Sequence, residues 1–444
     1  MAIAEIARKN PELADRYAVQ MGAATAIEAR AIGLNWVLAP VVDVNNNPDN
    51  PVINVRAFGE TSEIVGKLAS AFIRGASAHP VLTTAKHFPG HGDTAVDSHL
   101  ELPVLPHSPT RLAEVELPPF IEAIANGVDA VMSAHLLIPA WDAEFPATLS
   151  RKILIGKLRQ ELGFEGLIVT DALVMGAIAN KYGTNEAAVL AAEAGADILL
   201  MPLDPEGAIQ AVCDAVDRGR ISISQIKESV KRIWEAKVKV GLSISDPPQS
   251  GPARGESLNP GSIDLSLLAT EEARTTAADI LRDSLKFGGE LPLQVKKPSE
   301  SQLLRNLIVV DDVLGCEFLG NHTPAIALPA QLGYKLQLID DRTSSIAENT
   351  DADSLTPTLL QVFIRGNCFR GSAGLTEAAQ DWFKKLLKTG ELQAILIYGS
   401  PYVLEQFLPH LPPSIPYIFC YGQMPTAQAI ALELLFGLDS EVKI

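Results

Sequence analysis

Five short apolar runs, four of them meeting a polar residue at their carboxyl end and each separated from the next by a helical stretch, constrain this chain most. They are Leu34–Val42, Thr83–His87, Ala130–His135, Leu167–Asp171 and Asp197–Met201. Their apolar residues are consecutive rather than alternating, which is how strands of a parallel sheet covered on both faces read. Helical patterning is predicted over Asp15–Ile32, Ser62–Ala78, Ser108–Asn126, Arg151–Leu162, Asn185–Ala194 and Ser222–Val240. Ser150 stands before its helix, and Gly33, Gly127 and Gly163 follow theirs. Repeated strand–helix units point to an α/β fold, either a TIM-type (β/α) barrel or an open doubly wound sheet. Asp43, Lys86, His87, His135 and Asp171 fall at or just past the carboxyl ends of the strands, where both architectures bind ligands. Convergence on one mouth favours the barrel. Its eight strands exceed the five found, so the expected form is a barrel lacking its first strand–helix units.

The remainder of the 444 residues divides in two. Residues 1–242 make up the barrel-like part. Residues 243–264 are rich in Ser, Pro and Gly and read as a linker. Residues 265–444 return to α/β patterning. A helix is predicted over Leu267–Leu285. Strands are predicted at Leu307–Val310, Lys335–Ile339, Leu359–Ile364, Ala394–Tyr398 and Tyr417–Tyr421, with helices near Thr376–Lys388 and Ala427–Phe436. This second region reads as a small layered, sandwich-like domain.

Charge and cysteine content exclude several classes. Lys plus Arg is 36 against 53 Asp plus Glu, a net charge of −17. A nucleic-acid partner is not expected, because phosphate binding needs a basic footprint. No apolar run approaches the roughly 20 residues that cross a bilayer, so no membrane span is expected. Cys213, Cys316, Cys368 and Cys420 are far apart, which argues against a disulfide framework or structural zinc. The first ten residues lack the basic-then-apolar pattern of a leader peptide. A cytoplasmic location is the resulting expectation.

The densest chemistry lies in Lys86-His-Phe-Pro-Gly-His-Gly-Asp-Thr-Ala-Val-Asp-Ser-His99. Its glycines and proline make it a loop over the strand mouth, and loops on a rigid scaffold commonly carry catalytic groups. Asp97 and His99 are spaced so that the carboxylate can reach one imidazole nitrogen. That contact fixes the tautomer and leaves the other nitrogen for proton transfer. The alternative is a polar surface loop whose Asp caps a helix. Asp171 ends a buried strand and reads as a nucleophile, a metal ligand or a helix cap. Arg56 lies in the turn-rich run Asn45–Glu60 and could fork onto hydroxyls or a carboxylate, or pair with Asp43 or Glu60. His135 reads as a satisfied core histidine or a site residue, and Met201 as a pocket wall. His87, His91, Asp93 and His99 have residue types that suit zinc, so a metal-dependent hydrolase is a competing reading.

Four motifs together resemble glycoside hydrolase family 3, in its β-N-acetylhexosaminidase branch. They are Leu38-Ala-Pro-Val-Val-Asp43-Val-Asn, Asn50-Pro-Val-Ile with Arg56-Ala-Phe-Gly-Glu60, Lys86-His-Phe-Pro-Gly-His-Gly with Asp97-Ser-His99, and Val169-Thr-Asp171-Ala-Leu. The resemblance spans roughly residues 10 to 240. It implies a retaining hydrolase that removes terminal β-linked N-acetylglucosamine, with a carbohydrate substrate derived from peptidoglycan and no cofactor or metal. By the same resemblance Asp171 is the nucleophile, and His99 polarised by Asp97 is the acid and base. Arg56, Lys86 and His87 hydrogen-bond the sugar, with Asp43, His135 and Met201 lining the pocket. The acid role requires an imidazolium at His99, for which Asp97 and Asp171 are the stabilising neighbours. Phosphate in place of water is a narrower variant that these residues leave open.

The sequence departs from the family pattern in one respect. The resemblance implies two further strand–helix units ahead of the segment matching Asp15 onward, including an acidic sugar-binding residue in a motif like Asp-Gln-Glu-Gly-Gly. Those units are not in this chain, so a non-catalytic sugar-binding remnant is the alternative to an enzyme. Ile397-Tyr-Gly-Ser-Pro-Tyr-Val-Leu and Tyr421-Gly-Gln-Met-Pro-Thr-Ala-Gln-Ala carry a looser likeness to the family's second domain. A packing or substrate-rim role is expected for it.

Overall fold

The computed structural model describes residues 1–242, 263–295, 303–310, 316–340, 355–365 and 377–438. Residues 3–276 form one compact unit, and the described residues from Ala277 onward form a second. The linker expected over 243–264 lies, but for its last two residues, outside the described residues.

The first unit is built on three parallel strands in chain order, β1 (Thr84–Phe88), β2 (Ala130–Ser133) and β3 (Leu167–Val169). Their register runs Thr84 to Ala130 to Leu167. Single bridges extend this sheet on both sides, from Trp36 to Leu82 and Val41 to Lys86 on one edge and from Val169 to Ile198 on the other. The five apolar runs thus lie side by side as predicted, but the outer two make bridges rather than strands. Pro40 has no N–H to give the ladder, and Asp197 spends its carboxylate on Ile168 N (2.9 Å) and on Arg159 (2.5 Å). Among the described residues the arc does not close into a barrel.

Helices cover the arc. Pro11–Ala31 starts at Asn10, whose Oδ1 accepts from Leu13 N at 3.1 Å, and Pro11 fills the first turn, where no N–H is needed. It crosses Ser62–Ala76 with backbones in contact. A Cβ on Gly22 would stand 2.1 Å from Phe72 O, and one on Gly75 would stand 2.0 Å from Val19 O. Only glycine permits this approach.

Other helices differ from expectation. Ser108–Asn126 is not continuous: it runs as Pro109–Arg111, a π turn over Leu112–Glu116, and Pro118–Ala125. Pro118 and Pro119 cannot donate, and Leu117 N reaches back five residues to Leu112 O instead. Arg151–Leu162 is also wound with the wider π spacing, over Lys152–Glu161. Ala2–Ala7, Gly176–Tyr182 and Pro205–Asp217 are helices outside the predicted set. Ile223–Lys239 closes the series.

The second unit is a six-stranded sheet. Its strands are β4 (Lys286–Gly288), β5 (Leu304–Val310), β6 (Tyr334–Ile339), β7 (Thr358–Ile364), β8 (Leu392–Gly399) and β9 (Tyr417–Cys420), in the order β4-β9-β8-β7-β5-β6. All pairs are parallel except β4 with β9. Alternate side chains enter two separate cores. Ile308, Phe363, Leu396 and Tyr398 pack with residues of helices Pro324–Gln331 and Pro425–Phe436. Leu307, Val309, Leu360, Val362 and Ile397 pack with those of Glu377–Thr389 and Pro401–Phe407. This is the doubly wound arrangement, in which both faces of the sheet are covered.

Candidate active site

Asp43 sits at the centre of the polar groups in the first unit. It is fully buried, and its two oxygens accept three hydrogen bonds. Oδ2 takes His87 Nδ1 at 2.8 Å, while Oδ1 takes His87 N at 3.1 Å and His91 N at 2.7 Å. Burial opposes its ionisation, but the neighbouring His87 and His91 outweigh that cost and hold the carboxyl below its usual range. Asp43 therefore orients the His87 ring and anchors the base of the long loop in one step. Lys86, next to His87 on β1, is largely buried. Burial, with Arg56 nearby, lowers its pKa to about 8.

The loop beyond β1 is organised from within. Asn50, also buried, donates to His91 O at 2.8 Å and Gly92 O at 2.9 Å, and accepts from Val52 N and Ile53 N. Asn45 Oδ1 takes Asn54 N at 2.8 Å. These contacts tie the run 45–56 to the loop. Arg56 ends that run, exposed, with one guanidinium nitrogen on Val52 O at 2.9 Å.

Asp97 is buried, and its Oδ1 accepts from both His99 N (2.9 Å) and His99 Nδ1 (2.8 Å). A carboxylate can only accept, so Nδ1 carries the proton of this bond and the contact fixes the ring's tautomer. His99 is partly exposed. Its carbonyl accepts from Gly176 N at 3.1 Å, which links the loop to the turn that follows Asp171.

Asp171, half-buried, follows β3 and accepts from Ala172 N at 2.8 Å. Burial opposes its ionisation, but His87 and His135 outweigh it and hold its pKa below the usual value. His135 lies fully buried beside it. Nε2 donates to Ala172 O at 3.0 Å, and Nδ1 meets Thr148 Oγ1 at 2.8 Å. Burial lowers the His135 pKa, outweighing the nearby Asp171 carboxylate, which acts the other way. Both ring nitrogens are thus used on protein groups, and His135 orients the backbone beside Asp171. Met201 has a left-handed backbone (φ 46°), gives its carbonyl to Val174 N at 3.1 Å and is 61 % exposed.

The structure therefore gathers Asp43, Lys86, His87, His135 and Asp171 at one end of the arc, with Asp97 and His99 on the loop bound to it. Their histidines do not converge as metal ligands. His87 goes to Asp43, His91 to Thr94 and Ser98, His99 to Asp97, and Asp93 to His107 at 2.8 Å. Among the described residues no three His, Cys, Asp or Glu side chains are placed to hold a metal. Sequence reasoning assigned no role to Asn50, Thr94, Ser98, Thr148 and Gly176. They are neutral groups whose work is to hold the charged ones. Position beside the histidines was the one signal available for Thr94 and Ser98.

The order of these segments along the chain matches a known family of glycosyl hydrolases. Residues 1–236 match the model of the Glycosyl hydrolase family 3 N terminal domain, and residues 297–437 that of the Bacterial Glycosyl hydrolase family 3 C-terminal domain. The chain belongs to glycosyl hydrolase family 3. It is 35 % identical over 344 residues to Beta-hexosaminidase A of Pseudoalteromonas piscicida, covering 71 % of this chain and 57 % of that protein. It is 39 % identical over 202 residues to the Beta-hexosaminidase of Hydrogenovibrio crunogenus, covering 45 % and 56 %. The match thus spans just over half the length of these two curated relatives. A solved glycoside hydrolase family 3 beta-N-acetylglucosaminidase from Paenibacillus sp. str. FPU-7 is 30 % identical with a TM-score of 0.72, covering 95 % of this chain and 80 % of that one.

Proposed function

We propose that this chain is the catalytic part of a retaining β-N-acetylhexosaminidase that removes terminal β-linked N-acetylglucosamine from a glycan. Asp171 is the nucleophile. Its carboxylate attacks the anomeric carbon while His99 Nε2–H gives its proton to the departing glycosidic oxygen. The covalent glycosyl-enzyme then reacts with water, whose proton returns to His99 as the oxygen adds to the sugar and Asp171 leaves. Asp97 fixes the His99 tautomer and supports the imidazolium. Arg56, Lys86 and His87 bind sugar hydroxyls, and His135 steadies the turn that carries Asp171.

The observation that carries this reading is the 2.8 Å contact between buried Asp97 and His99 Nδ1, on a loop tied through Gly176 to the Asp171 turn. A histidine on a buried carboxylate is built for proton transfer near neutral pH. The names of the curated relatives point to the same substrate class. We read the five-segment arc as part of a (β/α) barrel, peptidoglycan-derived fragments as the substrate and the cytoplasm as the compartment. No described helix is long and apolar enough to cross a membrane.

The test is nitrophenol release from an aryl N-acetyl-β-glucosaminide by the full chain and by its Asp171→Asn and His99→Ala variants. Turnover by the unaltered chain that falls by roughly 10³-fold or more in Asp171→Asn supports the proposal. A folded, monodisperse chain without turnover would contradict the proposal.

A further inference from the structure

We propose that His91 is a positioning residue: its ring clasps Thr94 to Ser98 and so sets where Asp97 and His99 stand over the site. The proposal rests on the acid–base role given above to the Asp97–His99 pair.

The His91 side chain is buried, and both ring nitrogens are engaged within its own loop. Nδ1 lies 2.8 Å from Thr94 Oγ1, and Nε2 lies 3.1 Å from Ser98 Oγ. Thr94 Oγ1 in turn donates to His91 O at 3.2 Å. That spends the one hydroxyl proton of Thr94, so Nδ1–H donates to it and Nε2 accepts from the Ser98 hydroxyl. A neutral ring serves both bonds at once, and burial lowers the His91 pKa to about 4, which keeps the ring neutral near pH 7. No ring nitrogen remains for a substrate, so the residue acts through others.

The clasp is fixed at its base. His91 N is held by Asp43, and His91 O is held by Asn50. A Cβ on Gly92 would stand 1.9 Å from Val44 O, so the chain presses directly on the run behind it. At its far end the clasp grips Ser98, the residue between Asp97 and His99. Fixing Ser98 fixes the backbone on either side of it. One carboxylate, that of Asp43, therefore orients a sugar-binding histidine and anchors the ring that registers the acid–base pair. A misplacement of about 1 Å at a catalytic group can cost roughly 10²-fold in rate.

The test uses the full chain and a series of aryl N-acetyl-β-glucosaminides whose leaving groups run from dinitrophenol to methylphenol. The readout is kcat/KM for each, in the unaltered chain, His91→Phe, His91→Gln and Ser98→Ala. Dinitrophenolate departs without a proton, whereas methylphenolate needs one. A displaced acid–base pair therefore costs little on the first and much on the second. We expect His91→Phe to lose less than about tenfold on the dinitrophenyl substrate and about 10²-fold on the methylphenyl one, with KM little changed. His91→Gln can donate to one hydroxyl and accept from the other, and should recover at least part of the loss. Ser98→Ala should show the same leaving-group dependence at smaller size, and decides the matter alone if His91→Phe does not fold. Equal losses across the series, or no recovery in His91→Gln, would overturn the proposal. No turnover of any glycoside by the unaltered chain would overturn the glycosidase reading and this proposal with it.

Discussion

Asp43 shows how much a single side chain can carry here. It takes no part in the bond-breaking steps, yet it holds His87 by ring and backbone and His91 by backbone. Replacing it with Ala would remove every one of those bonds and leave the buried His87 ring and the His87 and His91 backbone N–H groups without their acceptor. A buried donor left without its acceptor typically costs about 1–3 kcal/mol. Asp43→Ala is expected to lower stability by about 3 kcal/mol, read as a fall in the urea midpoint, and to abolish turnover. A pH dependence follows from the same cluster. Asp43 and His91 both have folded pKa values below their ordinary ones. The His91 contribution is fully present above its unfolded value of about 6.5, and is lost as the pH falls toward about 4. The Asp43 contribution is lost at lower pH still, below the usual carboxylate range. Stability should therefore drop between pH 6.5 and 4, and His91→Gln should flatten that part of the curve in urea titrations.

At the level of elements, the site depends on where loops touch. Helix Gly176–Tyr182 begins against the end of the loop that carries His99. A Cβ on Gly176 would stand 2.8 Å from His99 O and 2.9 Å from Leu100 O, and Gly176 N also donates to His99 O. Gly176→Ala should displace the His99 backbone and lower kcat by about 10²-fold, with a modest fall in the melting temperature. The helix pair Pro11–Ala31 and Ser62–Ala76 gives the opposite case. Gly22→Ala would drive a methyl into Phe72 O, far from the chemistry. Overpacking of that kind costs about 1–3 kcal/mol. The expected result is a lower urea midpoint with kcat per folded molecule unchanged.

At the scale of the whole molecule, the two units bury separate cores, two of them flanking the sheet of the second, and every residue given a role in the chemistry lies in the first. In the second, Gln361 donates to Asn306 Oδ1 and Ala325 O and accepts from Tyr398, all inside the sheet's core. Gln361→Ala should lower stability and leave aryl-glycoside kcat within about twofold, since it leaves buried polar groups unpaired without touching the site. The same division explains what could be read from the sequence. Strands β5, β7, β8 and β9 were legible because buried parallel strands are unbroken apolar runs. The outer segments at Trp36 and Ile198 were legible as apolar but not as bridges, because bridging depends on Pro40 and on the partners of Asp197. Helix Pro205–Asp217 was overlooked although Asp204 caps it through Gly207 N at 3.0 Å and Ala208, Ala211, Val212, Ala215 and Val216 recur at helical spacing. In the site, the charged residues stood out by type and spacing. The supports, Asn50, Thr94, Ser98 and Thr148, did not, since a neutral polar residue looks the same whether it braces a histidine or faces water.

The central claim is that Asp171 becomes bonded to the sugar. The most direct measurement uses His99→Ala with a dinitrophenyl N-acetyl-β-glucosaminide. That leaving group departs unaided, while the second step lacks its base, so the glycosyl-enzyme should accumulate. Quenching in acid, digestion and peptide mass mapping should find one N-acetylhexosamine on Asp171, with no label in the chain that also carries Asp171→Asn. A label on another residue, or product release without any label and undiminished in Asp171→Asn, would contradict the account.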